Sequence, residues 1–219
     1  MYSVLHIDSS IRKRVNDNPN HDSISKRLAH SFVDYLKENS SIKGYQYRDV
    51  GMNPPPFTDQ DWLGAVFTPQ ENRSDYQRQK LAVSDRLIEE VKVADIIVIS
   101  TPMYNYGMPA QLKAWFDQIV RIHETFSFDL SRGDFPLAPI LDGKTLVLIT
   151  SCGEFGFEKG GIRESMNHLA PHIKTLSKYL GCEQVFEIAS EYQEFADLRH
   201  QTSLEAAFVE TRALANKLS

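Results

Sequence analysis

Residues 95–101 (DIIVIST) and Lys144–Ser151 (KTLVLITS) decide the fold. Each is a nearly continuous apolar run of strand length, rich in β-branched residues and without polar alternation. A strand with one wet face alternates; a strand apolar on both faces is buried on both, as in parallel sheets covered by helices. Working outward, Tyr2–Asp8, residues 44–50 and residues 184–189 are three further β-rich runs. Between the runs lie stretches with helical spacing. Ile24, Leu28, Phe32, Tyr35 and Leu36 form one stripe, and Leu87, Ile88 and Val91 a second. Leu112, Trp115, Phe116, Ile119 and Val120 form a third behind Pro109, whose fixed φ suits a helix entrance. Residues 168–180 are a fourth helix, and Leu204, Ala207, Phe208, Thr211, Leu214 and Leu218 an amphipathic fifth.

Strands alternating with helices are βαβ units, and these build a parallel sheet with helices on both faces. Five strands in that arrangement allow the order 2-1-3-4-5, the α/β flavodoxin-like three-layer sandwich. Ligands of such sheets bind beyond the carboxyl ends of the strands, where the strand order reverses. Attention therefore falls on the loops after strands 1, 3 and 4. Two stretches are expected to be irregular: residues 12–22, and residues 51–74 with their Pro54-Pro55-Pro56 run.

Composition narrows the function. The 219 residues, 42% hydrophobic and 24% charged, suit one domain spanning residues 1–219. A net charge of −5 lacks the basic face of a nucleic-acid binder. No run approaches the ~18 apolar residues of a membrane span, and the first residues carry no signal-peptide pattern. Two separated cysteines, Cys152 and Cys182, fit a reduced compartment. A cytoplasmic protein is expected.

The three loops carry a consistent chemistry. After strand 1 come Ser9 and Ser10, then a polar insertion, then Ser23-Ile24-Ser25 at the start of the first helix. Hydroxyls and free N–H groups at a helix N-terminus make a phosphate site, although Ser23 serves equally as a plain helix cap. Neither GxGxxG nor GxxxxGK[ST] occurs, so a phosphate would be held here without a lysine and without transfer chemistry. After strand 3, Met103-Tyr104-Asn105-Tyr106 offers backbone groups and apolar faces to a flat heteroaromatic ligand; core aromatics are the plain alternative. After strand 4 come Ser151-Cys152-Gly153-Glu154, where the glycine permits close backbone approach, as it would in any strand-ending turn. Other features are set aside. His168 and His172 are four apart, but Pro171 lies between them and no third ligand is near in sequence, so no metal site is assigned. No G-x-S-x-G elbow occurs, and no local signature ties a histidine to Cys152. Phe126 and Phe128 serve equally as cleft lining or core.

The stretch STPMYNYGMPAQLKAWFDQIVR, residues 100–121, strongly resembles the FMN-dependent NADH:azoreductase family, relatives of the flavodoxin-like NAD(P)H:quinone oxidoreductases. The MYN tripeptide followed by PAQLKAWFD carries the resemblance, which runs from strand 1 to about Gly181. It implies a bound FMN whose phosphate meets Ser10 and the Ser23, Ile24 and Ser25 group. The ring would lie along Met103, Tyr104, Asn105 and Tyr106, with Ser151, Cys152, Gly153 and Glu154 as the third loop. NADH or NADPH would supply a hydride, and quinones or azo compounds would take the electrons in a ping-pong cycle, within a homodimer. The flavin does the chemistry, so no catalytic side chain is assigned. An NAD(P)H:FMN reductase, a flavodoxin-type electron carrier and a cofactor-free module are the alternatives. Two departures stand out. Glu154 replaces a glycine common in the family, and is read as pointing to solvent, since facing the ring it would disfavour the anionic reduced flavin. The insertion at residues 12–22 carries Arg12, Lys13 and Arg14, read as a solvated charge run, with reach to a nicotinamide nucleotide's phosphates as the alternative.

Overall fold

The computed structural model describes all residues, Met1–Ser219. In chain order its elements are β1 (Tyr2–Asp8), α1 (Ile24–Asn39), β2 (Ile42–Asp49), α2 (Gln60–Phe67), α3 (Asp75–Val93), β3 (Ile96–Pro102), α4 (Ala110–Ile119), β4 (Phe126–Phe128), β5 (Leu137–Pro139), β6 (Lys144–Ser151), α5 (Ala170–Ser177), β7 (Cys182–Ser190) and α6 (Leu198–Lys217). Five strands pair in parallel in the order β2-β1-β3-β6-β7, which is the expected 2-1-3-4-5 order.

The two-residue period of the strands sorts their side chains into two cores. Leu5, Ile7, Ile97, Ile99, Leu146 and Leu148 face one way, onto Leu87 and Val91 of α3, Trp115 and Phe116 of α4 and Ile173 of α5. Val4, Val98, Val147, Ile149 and Ile188 face the other way, onto Leu28 and Phe32 of α1 and Ala207 and Leu214 of α6. Both faces of β3 and β6 are buried, which is why their sequences show no alternation. Each such Val, Leu or Ile contributes roughly 1.5–3 kcal/mol by leaving water.

Local signals start the helices. The Ser23 hydroxyl accepts from the Lys26 N–H to cap α1, Asp59 caps α2, and Ser74 with Gln77 forms a capping box at α3. Several boundaries differ from expectation, β3 by one residue at each end of the expected 95–101. Residues 51–74 are not all irregular, because Asp59 starts α2, whose Trp62 is buried with its Nε1–H donating to Gln118. β2 and β7 each begin two residues earlier than the runs 44–50 and 184–189. α5 is shorter than residues 168–180 and closes through a 3-10 turn at Lys178–Leu180. β4 and β5 form an antiparallel hairpin outside the main sheet; Phe126 packs on Tyr179 at 5.7 Å while Phe128 is exposed. No helix is long and apolar enough to cross a membrane.

Candidate functional site

The strand order reverses between β1 and β3, and the loops after β1, β3 and β6 meet beyond that point. One cleft there is lined by Ser10, Ser23, Ile24, Met103, Tyr104, Ser151, Cys152 and Gly153, together with Arg12, Asp22, Pro102, Gln193 and Glu194. Eight of the twelve residues singled out in the sequence thus share one cavity wall. Ser25 is fully buried one residue behind it, its hydroxyl 3.4 Å from that of Ser23. Asn105, Tyr106 and Glu154 lie outside the lining. A larger groove of about 470 Å³ along β2 and α3 contains none of these residues, so size alone is a poor guide to the site.

The loop after β1 is a donor-rich cradle. Ser9 is locked to the Ser100 carbonyl by its N–H and its hydroxyl, both at 3.0 Å. The Ser10 Oγ accepts the Arg12 N–H at 3.1 Å. The N–H groups of Ser10, Ile24 and Ser25 donate to no protein acceptor, and the last two open a 16-residue helix. Lys26, buried in that first turn, is not free for an anion: its Nζ sits 2.5 Å from Asp49 Oδ2. Gly51 closes the cradle from below. A Cβ there would fall 2.1 Å from the Ser10 carbonyl oxygen, so only glycine fits.

The loop after β3 is a tight turn under strain. Tyr104 and Gly107 exchange N–H···O bonds of 3.0 Å in both directions, and the two residues between, Asn105 and Tyr106, have φ of 47° and 66°. Two left-handed residues in a two-residue connection are the habit of a type I′ turn, usually filled by Asn-Gly. Asparagine tolerates it; a tyrosine there is costly, and such strain clusters at functional sites. The Met103 N–H donates to Ser151 at 2.8 Å and so ties this loop to β6.

In the third loop Glu154 turns aside, its Oε1 held 2.9 Å from Arg163 Nε. Burial pushes the Cys152 thiol up to about 12, with Glu191 adding to the shift, which leaves it protonated and inert at neutral pH. Behind the first loop sits a polar cluster that sequence reading missed. The fully buried Asp8 carboxylate accepts from the Ser100 hydroxyl at 2.5 Å and the Tyr47 hydroxyl at 2.8 Å; His6 Nε2 lies 2.9 Å away and His30 Nε2 3.3 Å away. Burial raises the Asp8 pKa, but His30, His6 and Ser100 outweigh it and hold the carboxyl well below the usual range. Arg12, read from the sequence as part of a solvated charge run, lines the cleft as well, and so do three residues not singled out, Asp22, Gln193 and Glu194. Arg12 and Asp22 belong to an insertion without local pattern, and the last two follow β7, a strand the reversal rule does not single out.

Fold and cleft together define an α/β flavodoxin-like protein with a backbone-donor cradle beside a flat, partly apolar wall. Comparison with known proteins makes this specific. A family model described as "flavodoxin-like fold" matches residues 3–214. The chain is 62% identical over 219 residues to the FMN-dependent NADH:quinone oxidoreductase 2 of Idiomarina loihiensis, covering all of this chain and 91% of that one. It is 60% identical over 219 residues to the protein of the same name in Colwellia psychrerythraea, covering both in full. Among solved structures, an FMN-dependent NADH-azoreductase of Bacillus anthracis in complex with FMN superposes with a TM-score of 0.83 at 19% identity, over 100% of this chain and 99% of that one. That likeness shows the fold. The chain belongs to the flavodoxin-like FMN-dependent NADH:quinone oxidoreductase family.

Proposed function

We infer that this chain is an FMN-dependent NADH:quinone oxidoreductase. The observation that carries the reading is 60–62% identity along the whole chain to two relatives bearing that name. The cleft fits the cofactor on its own terms. The phosphate of FMN needs donors, and the cradle has unpartnered N–H groups at Ser10, Ile24 and Ser25 beside the hydroxyls of Ser10 and Ser23. A flavin ring needs a flat wall with donors at its polar edge. Met103 and Tyr104 supply the wall, and the unpartnered N–H group of Gly153 a donor.

When bound, FMN supplies the redox chemistry, taking a hydride from NADH and returning the electrons to a quinone. The chain's residues bind and orient. Gly51 sets the height of Ser10, the strained turn sets the edge of the ring site, and the bond from Met103 to Ser151 holds the two ring loops together. The buried thiol of Cys152 takes no part as a nucleophile. Azo compounds are flat electrophiles that the same open face would serve, and one shared face makes the cycle ping-pong. The protein works as a cytoplasmic homodimer in this reading.

An anaerobic mix of the FMN-loaded protein with NADH tests it. Bleaching of the oxidised-flavin band near ~450 nm, reversed by a quinone, is expected. Bound FMN that NADH fails to bleach would make the chain an electron carrier. Parallel initial-rate lines support the ping-pong cycle; intersecting lines remove it.

A further inference from the structure

The loop between β7 and α6, residues 191–197, is welded to the loop after β6. Tyr192, Gln193 and Glu194 donate their N–H groups to the carbonyls of Glu154 (3.0 Å), Cys152 (3.2 Å) and Gly153 (3.0 Å). This has a polar consequence for the cleft. The carbonyls of residues 152–154 are consumed, while the N–H groups of Gly153 and Glu154 have no protein acceptor. The weld is held under strain, since Tyr192 and Ala196 are left-handed at φ 63° and 49°. Aromatic packing offsets that strain. Phe155 stacks on Tyr192 at 4.4 Å, Phe195 sits edge-on to both, and the guanidinium of Arg199 lies 4.5 Å over Phe195.

This loop places one unpaired charge against the cleft. Glu154 is paired with Arg163, Asp197 with Arg199, and Glu191 accepts the Gly156 N–H. The Glu194 carboxylate has no hydrogen bond and no ion pair, yet it lines the cavity and packs on Gly153. A Cβ at residue 153 would come within 2.4 Å of Glu194 Cγ and 3.3 Å of Oε1, so the glycine is needed to seat this side chain.

We propose that residues 191–197 form a fourth wall of the cofactor cleft, and that the free Glu194 carboxylate makes its electrostatic potential more negative, against the cation of Arg12 that lines the same cleft. The inference rests on the FMN reading above. A negative charge beside the N–H donors of Gly153 opposes the charge brought by the cofactor's phosphate and the charge added on reduction. Glu194 therefore loosens FMN and lowers its reduction potential, which makes the bound flavin a stronger donor to quinones. The donors alone would do the opposite.

The test compares Glu194→Gln and Glu194→Ala with wild type in two measurements: FMN affinity of the apoprotein by fluorescence titration, and midpoint potential of the loaded protein by redox titration. Both variants are expected to bind FMN several-fold more tightly. Both should also shift the two-electron equilibrium about tenfold, an upward move of about 30 mV. The shifts should shrink as salt rises, as befits an exposed charge. Wild-type values in Glu194→Gln, with a change only in Glu194→Ala, would reduce the residue to packing and overturn the inference. A wild type that takes up no FMN overturns the functional reading, and the inference with it. Bound FMN with an unmoved potential in both variants overturns the inference alone.

Discussion

Asp8 shows how a single buried carboxylate can organise the floor of a site. It is fully buried, yet four side chains on β1, β2, β3 and α1 converge on it: His6, Tyr47, Ser100 and His30. Removing one partner of a buried charged network leaves donors without an acceptor and typically costs 3–5 kcal/mol. Asp8→Asn should therefore lose about 3 kcal/mol in urea unfolding at pH 7. The pH dependence follows from the sign of the shift. The folded carboxyl titrates lower than the unfolded one, so its stabilisation is fully present above about pH 5 and drains as pH falls below about 4. The gap between wild type and Asp8→Asn should hold from pH 7 to 5 and narrow toward pH 3. A gap that stays constant down to about pH 3 would show that the charge of Asp8 is not what the network needs. None of this was legible beforehand. A histidine and an aspartate at alternate positions of a strand mark only a shared face, and their partners come from three other elements.

At the scale of elements, the site depends on how tightly loops from neighbouring strands are stacked. Gly51 follows β2, and Val50 and Gly51 both donate to the Asp8 carbonyl, which brings the Gly51 backbone up under Ser10. Gly51→Ala must push the Ser10 backbone aside, at a cost of about 1–3 kcal/mol for overpacking. It should also weaken FMN binding at least about tenfold, since a displacement of ~1 Å can cost more than that in an aligned site. Unchanged affinity in a fluorescence titration would separate Gly51 from the phosphate cradle. The elements themselves were largely legible where a core face spans many residues. β1 and β6 were read to the residue, and the stripes of α1 and α4 matched the buried faces of those helices. Short elements were not. α2 sits behind three prolines and buries only Trp62, Ala65 and Val66, and β4 and β5 are three residues each. The Asn105-Tyr106 turn hid for another reason: tyrosine is a poor left-handed residue, so composition argued against the conformation it adopts.

Of the large apolar side chains that the whole molecule leaves exposed, four lie on one hairpin. The β4–β5 hairpin has strands of three residues, too short to be stable on their own hydrogen bonds. It is tied to the body by Phe126 on Tyr179 and by the Ile140 N–H to Thr125. Its turn is braced by Arg132, which donates to the Pro136 carbonyl at 2.9 Å. Yet the braced tip exposes Leu130 at 75% and Phe135 at 85%, with Phe128 and Leu137 also exposed beside them. Single exposed apolar residues are ordinary; four on one ordered hairpin are what a contact with a second copy would cover. A second copy of the chain is the occupant that the homodimer reading requires, and burying Leu130 and Phe135 alone would contribute roughly 1.5–3 kcal/mol for each side chain. Light scattering on a sizing column should therefore give twice the chain mass for wild type. Phe135→Asp places a charge in that contact and should move the protein toward single-chain mass at low concentration, with its thermal unfolding little changed because the side chain has no intramolecular packing to lose. A wild type of single-chain mass would remove the dimer, and a dimeric Phe135→Asp would move the interface away from the hairpin.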